Sequence, residues 1–376
     1  MKICFLTKNL DVKTGAGRYS RDIIENITKE KNVEAVVLTE QASGHKSEFP
    51  ILKESFLLRN FLNIFINALR IRKFIKDCDI THALDGYPYG VIAAMANIGL
   101  DKKLVISGVG TYSVLPLDRP IKKYFLKWAY RKADKILCIS KFTEQQILKR
   151  IKLNNTAVIN LGVNLDKFSA QGGPAAVDQQ ISNELKKKKE KIILSVGALK
   201  PRKGYHISIP TVAEIKKRYP NIKYYIVGGK PPKIYLDLIE KHNLKKSVKF
   251  SQGISDYELV KLYYQADVFL LTPITIDSNN FEGFGLVFLE AGICGKPVVG
   301  TYNCGAEDAI VDGKTGFLVP QNDVKKTTEA VLKFLDNPEL SKKLGENGKK
   351  RAQQMSWDNV AKKYIKIYNE YENNFN

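Results

Sequence analysis

Short apolar runs of strand length alternate with helix-patterned segments along almost the whole chain, and this alternation constrains the fold more than any other feature. Strand candidates in the first half are residues 3–7, 35–39, 80–83, 104–107, 135–139 and 157–160. In the second half they are 192–196, 223–227, 248–250, 268–271, 297–300 and 317–319. Helix patterns fall between them, for example at 19–28, 57–75 and 142–149, the last preceded by Ser140 as an N-cap. Strands alternating with helices specify parallel sheets covered on both faces. A chain of 376 residues exceeds what one core usually organises. The expected fold class is therefore α/β with two doubly wound domains, an N-terminal one at 1–172 and a C-terminal one at 191–355. Residues 169–177 are rich in small residues, Gly and Pro, and 186–191 form a charge run, which suits a linker at 173–190. The tail, 356–376, carries Trp357, Val360, Tyr364, Ile367, Tyr368 and Tyr371 at helical spacing, a stripe that needs a surface to cover.

Composition bounds the function classes. The formal charge of +21 predicts attraction to nucleotides, anionic lipid or nucleic acid without choosing among them. No recognition helix, RNA-binding strand signature or zinc knuckle is legible, so a nucleic-acid partner is not expected. Cys4, Cys78, Cys138, Cys294 and Cys304 are scattered, with neither a Cys-x-x-Cys nor a histidine pair beside them. That argues against a metal site or a disulfide framework and for a reducing compartment. The first residues are too briefly apolar for a signal-peptide core, and no apolar run has spanning length, so a cytoplasmic location is expected.

Three loops carry the chemistry. Residues 282–290 read Glu-Gly-Phe-Gly-Leu-Val-Phe-Leu-Glu, with two carboxylates on either side of a glycine-flanked helix start. Gly283 and Gly285 allow close backbone approach, and the free N–H groups of a first turn favour a phosphate. Glu290, one turn further in, suits sugar or ribose hydroxyls. The same pair also fits a solvated amphipathic helix. Arg202 and Lys203 sit in a loop between a strand and a helix, where a guanidinium fork and a point charge clamp a diphosphate or simply face solvent. Residues 13–19, with Gly15, Ala16 and Gly17, form a glycine-rich run into a helix, either a phosphate approach or a turn.

The order of these loops resembles the family 4 retaining glycosyltransferases (glycosyl transferases group 1). The matching residues are Gly15-Ala16-Gly17, Ile139-Ser140, Asn160-Leu161-Gly162-Val163-Asn164 before Phe168, Val196-Gly197 with Arg202-Lys203-Gly204, and Ile226-Val227-Gly228. Ala266-Asp267-Val268, the Glu282-x7-Glu290 element, Asp312-Gly313 and Thr315-Gly316-Phe317-Leu318-Val319 follow in the same order. The resemblance implies the GT-B fold: two facing Rossmann-like domains, acceptor-binding and nucleotide-sugar-binding, with a C-terminal helix crossing back to the first. It also implies a nucleoside-diphosphate-sugar donor, a glycan or lipid-linked acceptor, and cell-surface polysaccharide or glycolipid biosynthesis, with no cofactor and no metal. Glu282 then touches the donor sugar, Gly283, Phe284, Gly285 and Leu286 face sugar and phosphate, Glu290 binds the ribose, and Arg202 and Lys203 neutralise the leaving diphosphate.

The chain departs from the family pattern at Val109, within Ser107-Gly108-Val109-Gly110-Thr111-Tyr112, where the family often has histidine. Ala198 and Leu199 likewise occupy the place of an arginine, a role left to Arg202. His82 is the candidate replacement histidine or a structural one. A non-catalytic sugar-nucleotide binder and a sugar-nucleotide epimerase of the same fold are the competing readings. Residues 53–76 and 120–132 are basic and amphipathic, consistent with an anionic membrane surface as a partner or with ordinary packing.

Overall fold

The computed structural model describes residues 1–12, 14–42, 44, 48–53, 61–168, 190–277 and 279–372. Lys13 of the glycine-rich run, residues 57–60 of the expected helix 57–75, and residues 173–189 of the expected linker, with its lysines 186–189, lie outside these. The chain divides into two compact units, Met1–Asn160 with Trp357–Asn376, and Leu161–Ser356.

The first unit holds β1 (Lys2–Leu6), β2 (Glu34–Leu38), β3 (Glu48–Phe49), β4 (Ile80–Ala83), β5 (Lys103–Gly108), β6 (Lys135–Cys138) and β7 (Thr156–Val158) in the order β3-β2-β1-β4-β5-β6-β7. All neighbouring pairs are parallel. A strand in such a sheet is covered on both faces and must be apolar throughout. Ile3, Cys4, Phe5 and Leu6 meet that demand with no exposed surface. The order reverses between β1 and β4, and the loops leaving the carboxyl ends of these two strands flank the place where open sheets of this kind take ligands.

The C-terminal helix Trp357–Glu372 belongs to this first unit and packs against the helix Gly15–Ile27. Its stripe finds its surface there: Trp357, Val360, Tyr364 and Tyr368 are buried. A polar anchor fixes the register. The Tyr368 hydroxyl lies 2.7 Å from His82 Nδ1, and His82 Nε2 lies 2.9 Å from Ser107 Oγ.

The second unit holds β8 (Ile192–Val196), β9 (Lys223–Val227), β10 (Val248–Ser251), β11 (Val268–Leu270), β12 (Val298–Thr301) and β13 (Gly316–Val319) in the order β10-β9-β8-β11-β12-β13, again parallel throughout. Its core includes a buried hydroxyl chain. Ser195 Oγ lies 2.7 Å from Tyr224 OH, which donates to Ser208 Oγ at 2.8 Å, while Ser195 Oγ also donates to the Leu270 carbonyl. Paired in this way, the hydroxyls avoid the roughly 1–3 kcal/mol penalty of an unsatisfied buried polar group.

The twelve expected strands are all present, with ends displaced by a residue or two. The two-residue β3 on the sheet edge was not foreseen, being too short to show any alternation. Ser140 caps the helix Lys141–Leu148 by accepting from Thr143 N–H.

Candidate functional site

The loop after β8 and the loop after β11 are built against each other. Pro201–Lys203 form one tight helical turn, and Gly204 leaves it in the left-handed region at φ 73° to begin the helix Tyr205–Arg218. A Cβ on Gly204 would stand 1.7 Å from the Thr272 carbonyl oxygen, so only glycine lets the backbones come this close. Thr272 Oγ1 donates to the Gly204 carbonyl at 2.8 Å, and Ile274 N–H donates to the Arg202 carbonyl at 2.8 Å. These bonds fix the backbone from which Arg202 and Lys203 project. The Lys203 side chain then runs over Gly197, where a Cβ would lie 3.4 Å from Lys203 Cε.

Both cations end on Glu282. Arg202 Nη1 donates to Glu282 Oε2 at 2.8 Å, and Lys203 Nζ lies 2.5 Å from the same oxygen. Lys203 and Glu282 are each only 8% exposed, so neither is a solvated surface charge. Burial pushes the Glu282 carboxyl up, but the charges of Lys203 and then Arg202, with their hydrogen bonds, overcome it and leave the group below the usual carboxylate range. The trio holds two cations against one anion, an excess that suits a further anionic ligand.

Beyond Glu282 the chain is gripped again. Gly305 N–H donates to the Glu282 carbonyl at 2.8 Å. Phe284 is buried beneath the segment, and Gly285, at φ 83°, begins the helix Leu286–Ile293 with no side chain capping its first turn. Gly283 to Leu286 therefore lead into a helix start that no side chain caps, although Phe288 N–H already donates to the Gly285 carbonyl at 2.9 Å; an uncapped helix start is an arrangement that attracts anions. Glu290 is buried on this helix and accepts a 2.7 Å hydrogen bond from Tyr263 OH. The alternative of two solvated glutamates is thus excluded for both. Tyr263 was not foreseen as the partner of Glu290, since a long-range side-chain pair leaves no local pattern.

In the first unit, Gly15, Ala16 and Gly17 are the first turn of the helix Gly15–Ile27, capped by Thr14, and not the free loop expected ahead of it. Gly15 and Ala16 are exposed. Gly17 is buried, and a Cβ there would meet the Asp11 carbonyl at 2.3 Å, so its need for glycine is one of packing. His82 is wholly buried in β4, and burial lowers its pKa to about 3, which makes it a neutral, structural histidine. Val109 is half-buried after β5, and its N–H donates to Ser113 Oγ at 2.9 Å. The same Ser113 hydroxyl donates to Asp85 Oδ1 at 2.9 Å, which also accepts from Gly86 N–H at 2.6 Å. Asp85 stands at the carboxyl end of β4, beside the reversal of strand order, and burial pushes its pKa up to about 7 despite these bonds. No local pattern hints at this, because the shift comes from surroundings distant in the chain.

Two family models match the chain: "Glycosyl transferases group 1" over residues 177–351 and "Glycosyltransferase Family 4" over residues 13–167. An uncharacterized glycosyltransferase of Methanocaldococcus jannaschii is 29% identical over 357 residues, spanning 92% of this chain and 93% of that protein. The GDP-mannose-dependent alpha-(1-6)-phosphatidylinositol monomannoside mannosyltransferase of Mycolicibacterium smegmatis is 28% identical over 294 residues, 75% of this chain and 74% of that protein. Among solved structures, Anabaena Alr3699/HepE in complex with UDP and glucose superposes with a TM-score of 0.79 at 18% identity, covering 98% of this chain and 100% of that one.

Proposed function

Because the chain belongs to the family 4 glycosyltransferases of GT-B fold, we propose that it moves a sugar, with retention of anomeric configuration, from a nucleoside diphosphate to a glycan or lipid-linked acceptor in cell-surface polysaccharide or glycolipid biosynthesis. The observation that carries this reading is the buried cluster of Arg202, Lys203 and Glu282 on the loops after β8 and β11. In the reaction the bond from the anomeric carbon to the diphosphate breaks and a bond to the acceptor oxygen forms on the same face, with the acceptor proton leaving on the diphosphate. Negative charge grows on the leaving group, and Arg202 and Lys203 stabilise it without invoking a metal ion. Glu282 orients the donor sugar, the amides from Gly283 to Leu286 receive sugar and phosphate oxygens, and Glu290, steadied by Tyr263, takes the ribose. The relatives that act on GDP-mannose or hold UDP with glucose support a nucleotide-sugar donor.

A panel including UDP-glucose and GDP-mannose, followed by thermal shift and by release of the nucleoside diphosphate, tests the reading. The true donor should raise the melting temperature by mass action and be turned over when an acceptor is supplied. Binding without any turnover would instead favour an accessory sugar-nucleotide binder, the reading that Val109 prompts. A donor altered without transfer would favour an epimerase.

A further inference from the structure

The helix Leu62–Ile75 buries Ile64, Asn67, Ala68, Ile71 and Ile75 on one side and is apolar on the other side as well. Leu62 is 70% exposed, Leu69 75% and Phe65 37%, and their spacing puts them in one stripe. A helix that is apolar on both faces is normally covered on both, so this stripe calls for a partner. The helix Lys122–Lys132 extends the same surface. Its Phe125 ring lies 4.9 Å from Phe61 and 6.5 Å from Phe65, and it adds Tyr124, 67% exposed, next to the exposed Ile121.

Charge selects the partner. Both helices carry several lysines and arginines and no acidic residue. Beside Leu69 an open groove of about 490 Å³ has Pro50, Ile51 and Phe74 as apolar lining and Arg70 and Lys73 as cations. An apolar floor with two cations suits a phosphate carried on a hydrocarbon chain. An apolar stripe flanked by cations has the character of a surface that lies on a bilayer; among the described residues, no helix is long and apolar enough to cross a membrane.

We propose that this two-helix face docks on an anionic phospholipid surface, with Leu62, Phe65, Leu69 and Tyr124 entering the acyl boundary and Arg70 and Lys73 holding lipid phosphates. It deepens the proposed function, on which it rests only in giving a lipid-linked acceptor its membrane.

The test is flotation of the full chain, without donor, on phosphatidylcholine vesicles with and without about 30% phosphatidylglycerol. The chain should float with the anionic vesicles and stay down with the neutral ones. The pairs Leu62→Glu with Leu69→Glu, and Arg70→Glu with Lys73→Glu, should each lower the bound fraction about tenfold or more. A Leu69→Trp variant should shift its emission to the blue on anionic vesicles. No flotation of the parent chain, or flotation unchanged by both pairs, overturns the proposal. So does a dimer in light scattering that Leu62→Glu with Leu69→Glu dissolves, since the face would then be an interface between copies. Donor turnover without flotation would sink the docking surface alone, and flotation without turnover would sink the enzymatic reading alone.

Discussion

Replacing Glu282 by Gln should tighten the binding of a free nucleoside diphosphate while it abolishes most of the transfer. The Glu282 carboxylate occupies both cations, with Oε2 2.8 Å from Arg202 Nη1 and 2.5 Å from Lys203 Nζ. A phosphate oxygen bound to the far side of Lys203 would lie roughly 5 Å from that carboxylate. At an effective dielectric of about 20, the repulsion is then about 3 kcal/mol per pair of unit charges. Solvent reaching the partly exposed Arg202 side chain lowers this to about 1–2 kcal/mol, or roughly five- to thirtyfold in affinity. Glutamine keeps the shape, removes the repulsion and releases both cations. Because Glu282 is held below the ordinary carboxylate range, the parent remains ionised near neutral pH and the contrast is clean. Titration calorimetry of UDP and GDP against parent and variant gives the affinity, and diphosphate release gives the transfer rate, expected to fall about 100-fold or more. Affinity for both nucleotides unchanged or weakened in the variant would refute the placement of the diphosphate on these cations. Lys203→Met is the less direct probe, since it strands a buried carboxylate on Arg202 alone and costs stability of its own.

Three further outcomes follow from the same geometry. His82 has a folded pKa of about 3 against an ordinary 6.5, so the stability it contributes is present above pH 6.5 and is lost as pH falls towards 3; thermal melts should drop between pH 6.5 and 4.5 by about 2 kcal/mol, and His82→Gln should flatten that slope. Asp85 has the opposite sign, with a folded pKa of about 7 against 3.8, so stability is lost as pH rises through that window; Asp85→Asn should gain about 2 kcal/mol at pH 8 relative to pH 4 in urea unfolding, and no such gain would show that the carboxyl is well solvated. Gly204→Ala forces a side chain into the left-handed region and onto the Thr272 carbonyl, and should cost about 3 kcal/mol or more by thermal melt; a melt matching the parent would mean that the turn is not locked as described.

Much of the architecture was legible because a parallel strand covered on both faces must be a continuous apolar run, and such runs as 192–196 and 223–227 are read without knowing their neighbours. The edge strand Glu48–Phe49 has no such signature. The candidate site was readable to the extent that its parts are local. Residues 282–290 announce a glycine-flanked helix start, and Arg202 with Lys203 announce a basic loop. What sequence order withholds is the meeting of those two segments 80 residues apart, and with it the burial of charges that composition alone assigns to solvent. The same limit hid Tyr263 behind Glu290 and the raised pKa of Asp85. Gly15 and Gly17 show the converse, since a familiar glycine pattern proved to be a helix turn, with Gly17 demanded by the close passage of Asp11.

The first unit is discontinuous in sequence, closed by the helix Trp357–Glu372, whereas the second, Leu161–Ser356, is one uninterrupted stretch. On a ribosome the later-made half therefore has everything it needs before the earlier-made half does. The amino-terminal sheet must wait for the helix Trp357–Glu372 to emerge before Tyr364 and Tyr368 can cover His82. A premature stop just short of that helix would accordingly wound the end of the molecule synthesised first, and spare the loops that carry Arg202, Lys203 and Glu282, which lie nearer the break.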